Sequence, residues 1–331
     1  MLNTKPRSLH ICKRLLVCLL LQSALQAEAK KMHEHLDKLA QRIANAYVDF
    51  DDCTYEETLE ALPYAELVLA HANPQVKDAV PPGYALLERE ALPESLQEHF
   101  HYIEIVPSDS CLSEDLDDCL EYPLETIESH TLQSLGLKAR IYESLEEHRL
   151  IIVFSGTEPE LEKRPLRAAI NWITNIRQSR GHCSLAYALA LEWVQALQEA
   201  YPYHEIVCTG ISLGGGLSQY VAGSLGLRAY CFNSPRLAGC QLESILAGDH
   251  SERIKHYTVE LEILNLPLNF FRGKHVGSLC QIPSYNTKLN LFERHFTEHA
   301  IQSLKIHLQR TRHIAVKKAL ADKRRVRPSL G

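Results

Sequence analysis

The sequence predicts an α/β protein in which helices flank a mostly parallel central sheet. The apolar run Glu205–Thr209 leads into a tight glycine-rich turn and then a helix-compatible segment, Leu217–Leu225. Strand-like segments also cover Leu150–Ser155 and Leu227–Asn233, and an amphipathic helix is predicted over Ser184–Tyr201. Strands that alternate with helices in this way are typical of parallel sheets, because each crossover needs a covering helix.

The first 29 residues have the features of a secretory signal peptide. A basic start precedes the apolar run Leu15–Leu25, and Ala27-Glu28-Ala29 offers a cleavage site between small residues. An uncleaved membrane anchor is the less favoured alternative, because a spanning helix needs about 20 apolar residues. We therefore expect a secreted or periplasmic protein.

The remaining chain is divided into three predicted parts. Residues 30–135 form an N-terminal helical and loop elaboration, 136–304 an α/β core, and 305–331 a basic C-terminal helix and tail. From 301 to 331 there are nine Lys or Arg residues and one acid. A solvated terminal helix with a frayed end is the favoured interpretation, and docking on anionic phospholipid headgroups is the alternative.

A G-x-S-x-G motif lies at the junction of the strand and the helix described first. Gly210, Ser212 and Gly214 occupy its defining positions. The sharp turn strains the backbone at the serine, so its neighbours must be small. This arrangement is typical of the nucleophile elbow of α/β-hydrolases, in which the Leu213 N–H, at a helix N-terminus, donates to an oxyanion.

Four motifs in one order resemble the class 3 lipases over about residues 136–304. They are Phe154-Ser155-Gly156-Thr157, Asn171-Trp172, the elbow, and Asn233-Ser234-Pro235-Arg236. The resemblance implies an α/β-hydrolase fold with extra N-terminal helices that pack beside the sheet. It also implies that the Thr157 N–H is the second donor of the oxyanion hole. In lipases of this family a lid can cover the site near 158–169, and the sequence leaves open whether this chain has one.

The acid of a serine hydrolase should follow the strand predicted over Ile254–Leu261, in the order serine, acid, histidine. The family's usual aspartate is absent there. Glu262 is favoured, because the residues after it fit the tail of the family's motif, and Glu260 is second. Asp249 is a further alternative.

The first three histidines after the predicted acid are His275, His295 and His299. The resemblance to the family's terminal histidine and its helix favours His295 as the general base, with His299 as the runner-up. The run from His295 to His299 also spells H-x-x-E-H, a zinc protease motif. That hypothesis is disfavoured because no third ligand follows at a suitable distance.

The combined prediction is a secreted serine hydrolase that cleaves lipid esters. The sequence does not distinguish triacylglycerol from phospholipid as the substrate. The surface of a membrane or a lipid droplet is the partner that such a substrate implies. The mechanism requires no metal or organic cofactor. The net charge of −6 argues against nucleic-acid binding, and no obligate protein partner is inferred. The alternative is an inactive hydrolase fold retained as a binding module, since Ile211 replaces the elbow's usual histidine.

Overall fold

A single twisted sheet organises the part of the chain that the computed structural model describes. Its strands follow one another in sheet order as β1 (Tyr84–Leu86), β2 (Ala139–Ser144), β3 (Arg149–Phe154), β4 (Glu205–Ile211), β5 (Arg228–Phe232), β6 (Ile254–Val259) and β7 (Ser278–Ile282). The pairs β1–β2 and β2–β3 are antiparallel, whereas every pair from β3 to β7 is parallel.

The structure describes residues 53–72, 80–94, 96–97, 137–156, 184–246, 250–265 and 273–325. All of them belong to one unit that spans 50–331. The predicted signal peptide, the predicted lid, Thr157 and Asp249 lie outside the described residues. The segment boundaries predicted from the sequence stay a prediction.

The helices that cover the sheet are divided between its two faces. They are α1 (Tyr55–Ala72), α2 (Leu185–Ala200), α3 (Leu213–Leu225), α4 (Gly239–Leu246) and α5 (Thr297–Arg325). Parallel strands in sequential order require right-handed crossovers, which place α2, α3 and α4 on the same face. The first and last helices, α1 and α5, cover the opposite face and pack against each other.

Strand β3 shows how one strand serves both layers. Leu150, Ile152 and Phe154 pack with α2 and α3, whereas Ile151 and Val153 face α1 and α5. Successive side chains of a strand point to opposite faces, so a strand covered on both sides must be apolar throughout. The strands from β3 to β7 are parallel, so their carboxyl ends lie along one edge of the sheet. Open α/β sheets place their ligands at this edge.

The predicted α/β-hydrolase fold class is confirmed. The helix after the elbow begins at Leu213, four residues before the predicted start. Strands β1 and β7 were not predicted. Strand β1 has three residues of intermediate burial, too few for a periodic pattern, and β7 is partly exposed along its length.

The C-terminal helix α5 is 29 residues long, and its basic residues at 310, 312 and 317 are exposed. None of the helices in the described residues is long and apolar enough to cross a bilayer.

Buried neutral histidines predict a loss of stability in acid. Burial lowers the pKa of His256 to about 4, whereas the unfolded chain binds this proton near pH 6.5. The unfolded chain binds the proton at a higher pH than the folded protein does. The contribution of neutral His256 to the free energy of unfolding is therefore fully present above pH 6.5 and is lost as the pH falls towards 4. We expect His256→Gln to reduce this slope by about 1.4 kcal/mol per pH unit.

Urea unfolding of both proteins between pH 7 and pH 4.5 measures this difference in slope. The exposed His313→Gln is the matched control and should follow the wild type. Equal slopes for wild type and His256→Gln would contradict the prediction.

Candidate active site

The turn at Ser212 holds the serine in a strained backbone conformation. Its φ and ψ angles are 55° and −128°, in a region that side-chain-bearing residues rarely adopt. The Ser212 N–H donates to the Phe232 carbonyl at 3.0 Å, which ties the turn to the end of β5. A β-carbon on Gly214 would lie 2.1 Å from the Phe154 carbonyl oxygen, and one on Gly210 would lie 2.5 Å from Gly214. The motif's glycines are therefore required by close packing.

Ser212 and His295 are joined by a hydrogen bond. The distance between Ser212 Oγ and His295 Nε2 is 2.8 Å. His295 ends a short 3₁₀ turn, Glu293–His295, directly before α5. Ser212 follows the carboxyl end of β4. Two parts of the chain that are distant in sequence therefore meet at this edge of the sheet.

Glu262 lies on the other side of the same imidazole. His295 Nδ1 is 2.6 Å from Glu262 Oε2, and the Glu262 side chain is 0% exposed compared with 13% for His295. A carboxylate only accepts, so Nδ1 carries the hydrogen of the neutral ring and the lone pair of Nε2 faces Ser212. This orientation allows His295 to take the hydroxyl proton of Ser212.

A tight turn after β6 directs Glu262 inward. Leu261 has a φ of 58°, which costs a residue other than glycine about 1–2 kcal/mol. The Glu262 N–H donates to the Val259 carbonyl at 3.2 Å. From the neighbouring segment, Arg294 donates to the Glu260 carbonyl at 3.1 Å. The turn that holds the acid is thus connected to the turn that holds the histidine.

Asn233 connects the ends of three segments around this site. It is fully buried with a φ of 41°, which asparagine tolerates better than most residues. Its Nδ2 donates to the carbonyls of Arg294 at 3.2 Å and His295 at 3.4 Å, and its Oδ1 accepts from the Val259 N–H at 2.9 Å. One side chain therefore fixes the position of the histidine relative to β5 and β6.

The predicted oxyanion hole is partly described. Leu213 is the first residue of α3, where the N–H has no acceptor within the helix. The turn after β3 approaches the serine closely, because a β-carbon on Gly156 would lie 3.4 Å from the Ser212 β-carbon. Thr157, the second predicted donor, follows this glycine and lies outside the described residues.

Helix α1 supports that turn through a buried histidine. His71 Nε2 is 2.5 Å from Ser155 Oγ. Burial lowers the pKa of His71 to about 3, and the positive charges of Arg140 and Lys138 add to the effect. His71 is therefore neutral at physiological pH and bonds Ser155 without bringing charge to the turn.

The alternative residues from the sequence lie elsewhere. Glu260 is exposed, and it is Glu262 that pairs with His295. His299 is buried, lies 3.0 Å from Ser284 Oγ and stacks on Tyr285. The two histidines of H-x-x-E-H thus have different partners. Among the described residues, no group of three or more His, Cys, Asp or Glu side chains is arranged to hold a metal ion.

Sequence reasoning missed several residues that support the site. The sequence contains the motif Asn233-Ser234-Pro235-Arg236, but it does not indicate that the asparagine contacts the turn that holds His295. His71, Asn265 and His275 were not assigned to the site. Their partners lie far away in the chain or in an irregular turn, and neither periodicity nor a short motif marks them.

Residues 110–282, more than half of the chain, match the phospholipase-like family described as the Tle-like phospholipase domain. The chain belongs to this Tle-like phospholipase family. The matched Tle-like segment includes Ser212, Asn233 and Glu262, and it ends before His295. No curated protein matches the chain.

Several solved lipases are similar to this Tle-like chain. A Rhizomucor miehei lipase–propeptide complex has 13% identity, covering 77% of this chain and 79% of that one, with a TM-score of 0.43. A Penicillium expansum triacylglycerol lipase has 12% identity, with coverages of 71% and 81% and a TM-score of 0.37. Lip2 lipase from Yarrowia lipolytica has 14% identity, the same coverages and a TM-score of 0.36.

Membership of the Tle-like family confirms the prediction of an ester hydrolase of the lipase and phospholipase type.

The contacts of Asn233 predict a measurable loss when its side chain is removed. Asn233→Gly keeps the backbone angle accessible but leaves the Val259 N–H and two carbonyls without this partner. We expect the free energy of unfolding to fall by about 1–3 kcal/mol and ester hydrolysis to fall with it. Urea unfolding and an ester assay measure the two effects, and an unchanged rate in a destabilised protein would contradict the role in positioning His295.

Proposed function

We propose that this protein hydrolyses the carboxylic ester bonds of phospholipids through a triad of Ser212, His295 and Glu262. The continuous chain of hydrogen bonds from Ser212 Oγ through His295 to Glu262 is the observation that carries this proposal. It has the geometry that a serine nucleophile requires, because a base lies within hydrogen-bond reach and a third group orients the base.

The reaction follows from the orientation of the imidazole. His295 Nε2 takes the proton of Ser212 as Oγ attacks the ester carbonyl, and Glu262 stabilises the imidazolium that forms. The N–H groups of Leu213 and Thr157 hold the oxyanion of the tetrahedral intermediate. The imidazolium then protonates the leaving alcohol, and His295 activates the water that hydrolyses the acyl-enzyme.

The choice of phospholipid over triacylglycerol is supported by the description of the matching family as phospholipases. Two exposed aromatic side chains, one next to His295 in the chain and one stacked on His299, are consistent with a lipid substrate. Phe296, directly after His295, is 46% exposed, and Tyr285 is also exposed. Exposed aromatic rings are suited to the boundary between a lipid surface and water.

We further propose that the protein acts outside the cytoplasm after removal of residues 1–29 as a signal peptide. The exposed basic residues of α5 would then face anionic headgroups at the membrane surface. The charged N-terminal start, the apolar run and the small-residue cleavage site support this location.

The function is tested by the hydrolysis of defined lipids. The purified protein should release fatty acid from phosphatidylglycerol and phosphatidylethanolamine vesicles, and much less from a triacylglycerol emulsion. Ser212→Ala should abolish the release and also covalent labelling by a fluorophosphonate probe. Faster hydrolysis of triacylglycerol would overturn the substrate, and a well-folded wild type that neither labels nor hydrolyses would overturn the function.

The roles of the acid and the base are tested by matched pairs of variants. Glu262→Gln should lower kcat by about 10³- to 10⁴-fold, because the orientation and charge that stabilise the imidazolium are lost. Glu260→Gln, two residues away on the surface, is its control and should keep the wild-type rate. His295→Ala should be inactive, whereas His299→Ala should retain hydrolysis in the folded protein. An inverted result in either pair would reassign that role.

A further inference from the structure

The triad carboxylate has a second side-chain partner beyond the histidine. Asn265 ends the short 3₁₀ turn Ile263–Asn265 that follows Glu262. Its Nδ2 donates to Glu262 Oε1 and also to the Ser234 carbonyl at 3.1 Å. The other carboxylate oxygen, Oε2, accepts from the Leu264 N–H at 3.1 Å in addition to His295. Both oxygens of a fully buried carboxylate are therefore held by donors.

Asn265 is itself held by a half-buried histidine. His275 Nε2 is 2.6 Å from Asn265 Oδ1. A carbonyl oxygen only accepts, so Nε2 must carry the hydrogen of the neutral His275 ring. Burial lowers the pKa of His275 well below its usual range, and its neighbour His256 and the charge of Arg236 lower it further.

The arrangement leaves one orientation for the asparagine amide. With Oδ1 facing the N–H of His275, both hydrogens of Nδ2 are directed to acceptors, one on Glu262 and one on Ser234. Turning the amide over would place its oxygen against a carboxylate and a carbonyl. These two acceptors therefore determine the amide orientation, and the N–H of His275 holds Oδ1 in it.

A fully buried histidine, His256, fixes the position of this support. His256 Nε2 donates to the Val276 carbonyl at 2.9 Å, and Ser234 Oγ donates to His256 Nδ1 at 2.7 Å. The rings of His256 and His275 are 4.6 Å apart between centroids. His256 on β6 is thus connected to Glu262 by two routes. One passes through Ser234 and the other through Val276, the neighbour of His275, and both lead to Asn265.

We propose that Asn265, held by His275, is a positioning residue that keeps the carboxylate of Glu262 aligned towards His295. This inference rests on the proposed triad and adds two residues to it. The need is physical, because a fully buried carboxylate without enough donors takes up a proton or leaves its position. The amide supplies a donor without adding a charge.

Three variants of Asn265 and His275 test the proposal through kcat, KM and the pH dependence of phosphatidylglycerol hydrolysis. Asn265→Ala should lower kcat about 10- to 100-fold, as expected for the loss of a hydrogen bond to a charged group, with KM unchanged within about twofold. His275→Leu should lower kcat in the same direction, whereas His275→Gln, which retains an N–H donor, should recover most of the rate.

Asn265→Asp distinguishes positioning from a general structural role. It preserves the shape of the side chain but places a second carboxylate against Glu262. Among the residues that the structure describes, the charged and titratable groups around this position include Glu262, His295, His275, His256 and Arg236. Two adjacent carboxylates retain a shared proton to higher pH. The acid limb of kcat/KM should therefore move upward by about one pH unit or more.

The matched control is Asn286→Ala. The side-chain oxygen of Asn286 accepts a local hydrogen bond, from the N–H of Lys288 two residues further along the chain. It should keep the wild-type rate and pH profile. Suppose that Asn265→Ala has the cooperative thermal transition of a folded protein and hydrolyses phosphatidylglycerol at the wild-type rate. The positioning role is then overturned, while the proposed triad stands. If Asn265→Asp keeps the wild-type acid limb, the role is overturned as well. If the folded wild type neither labels at Ser212 nor hydrolyses lipid, both proposals fail together.

Discussion

The hydrogen bond between Glu262 and His295 is the interaction on which the rest of the site depends. It joins a fully buried carboxylate to an imidazole whose far nitrogen faces Ser212. Burying a carboxylate is costly unless donors surround it. Here the donors come from the ring itself, the backbone of Leu264 and the amide of Asn265. The same set of bonds fixes which nitrogen of His295 carries its hydrogen, and so which nitrogen can act as a base.

The sheet provides the fixed positions for these groups. Strands β4, β5 and β6 end side by side, so the turns that follow them lie close together although they are distant in sequence. Ser212 follows β4, Asn233 follows β5 and Glu262 follows β6. Three residues at these turns other than glycine have positive φ angles, namely Ser212, Asn233 and Leu261. Such strain persists only where surrounding contacts determine the conformation, and it is concentrated here at the site.

The sequence predicted those parts of the molecule that depend on local patterns. Apolar runs predicted β3, β4 and β5, because strands buried on both faces contain few polar residues. An alternation of apolar and polar residues predicted β6. The glycines around Ser212 predicted the elbow, since close packing leaves no room for a side chain there. Chain order and the resemblance to the class 3 lipases indicated Glu262 and His295, and the structure brings both to Ser212.

The parts that the sequence did not predict depend on tertiary contacts. His275 and His71 are ordinary histidines in the sequence, and only folding places them beside Asn265 and Ser155. Strand β7 pairs along one edge with β6 and is partly exposed, so it carries little apolar pattern. Conversely, H-x-x-E-H looked like a metal motif, yet the turn at Glu293–His295 ends before the helix begins, so the two histidines do not share a helical face.

The most direct test of the account is a crystal structure of the protein after reaction with a phosphonate analogue of a phospholipid. The account predicts a covalent bond from phosphorus to Ser212 Oγ. His295 Nε2 should remain near that oxygen, and the phosphonyl oxygen should accept from the N–H of Leu213 and of Thr157. An adduct on another residue, or a phosphonyl oxygen turned away from the N-terminus of α3, would contradict it.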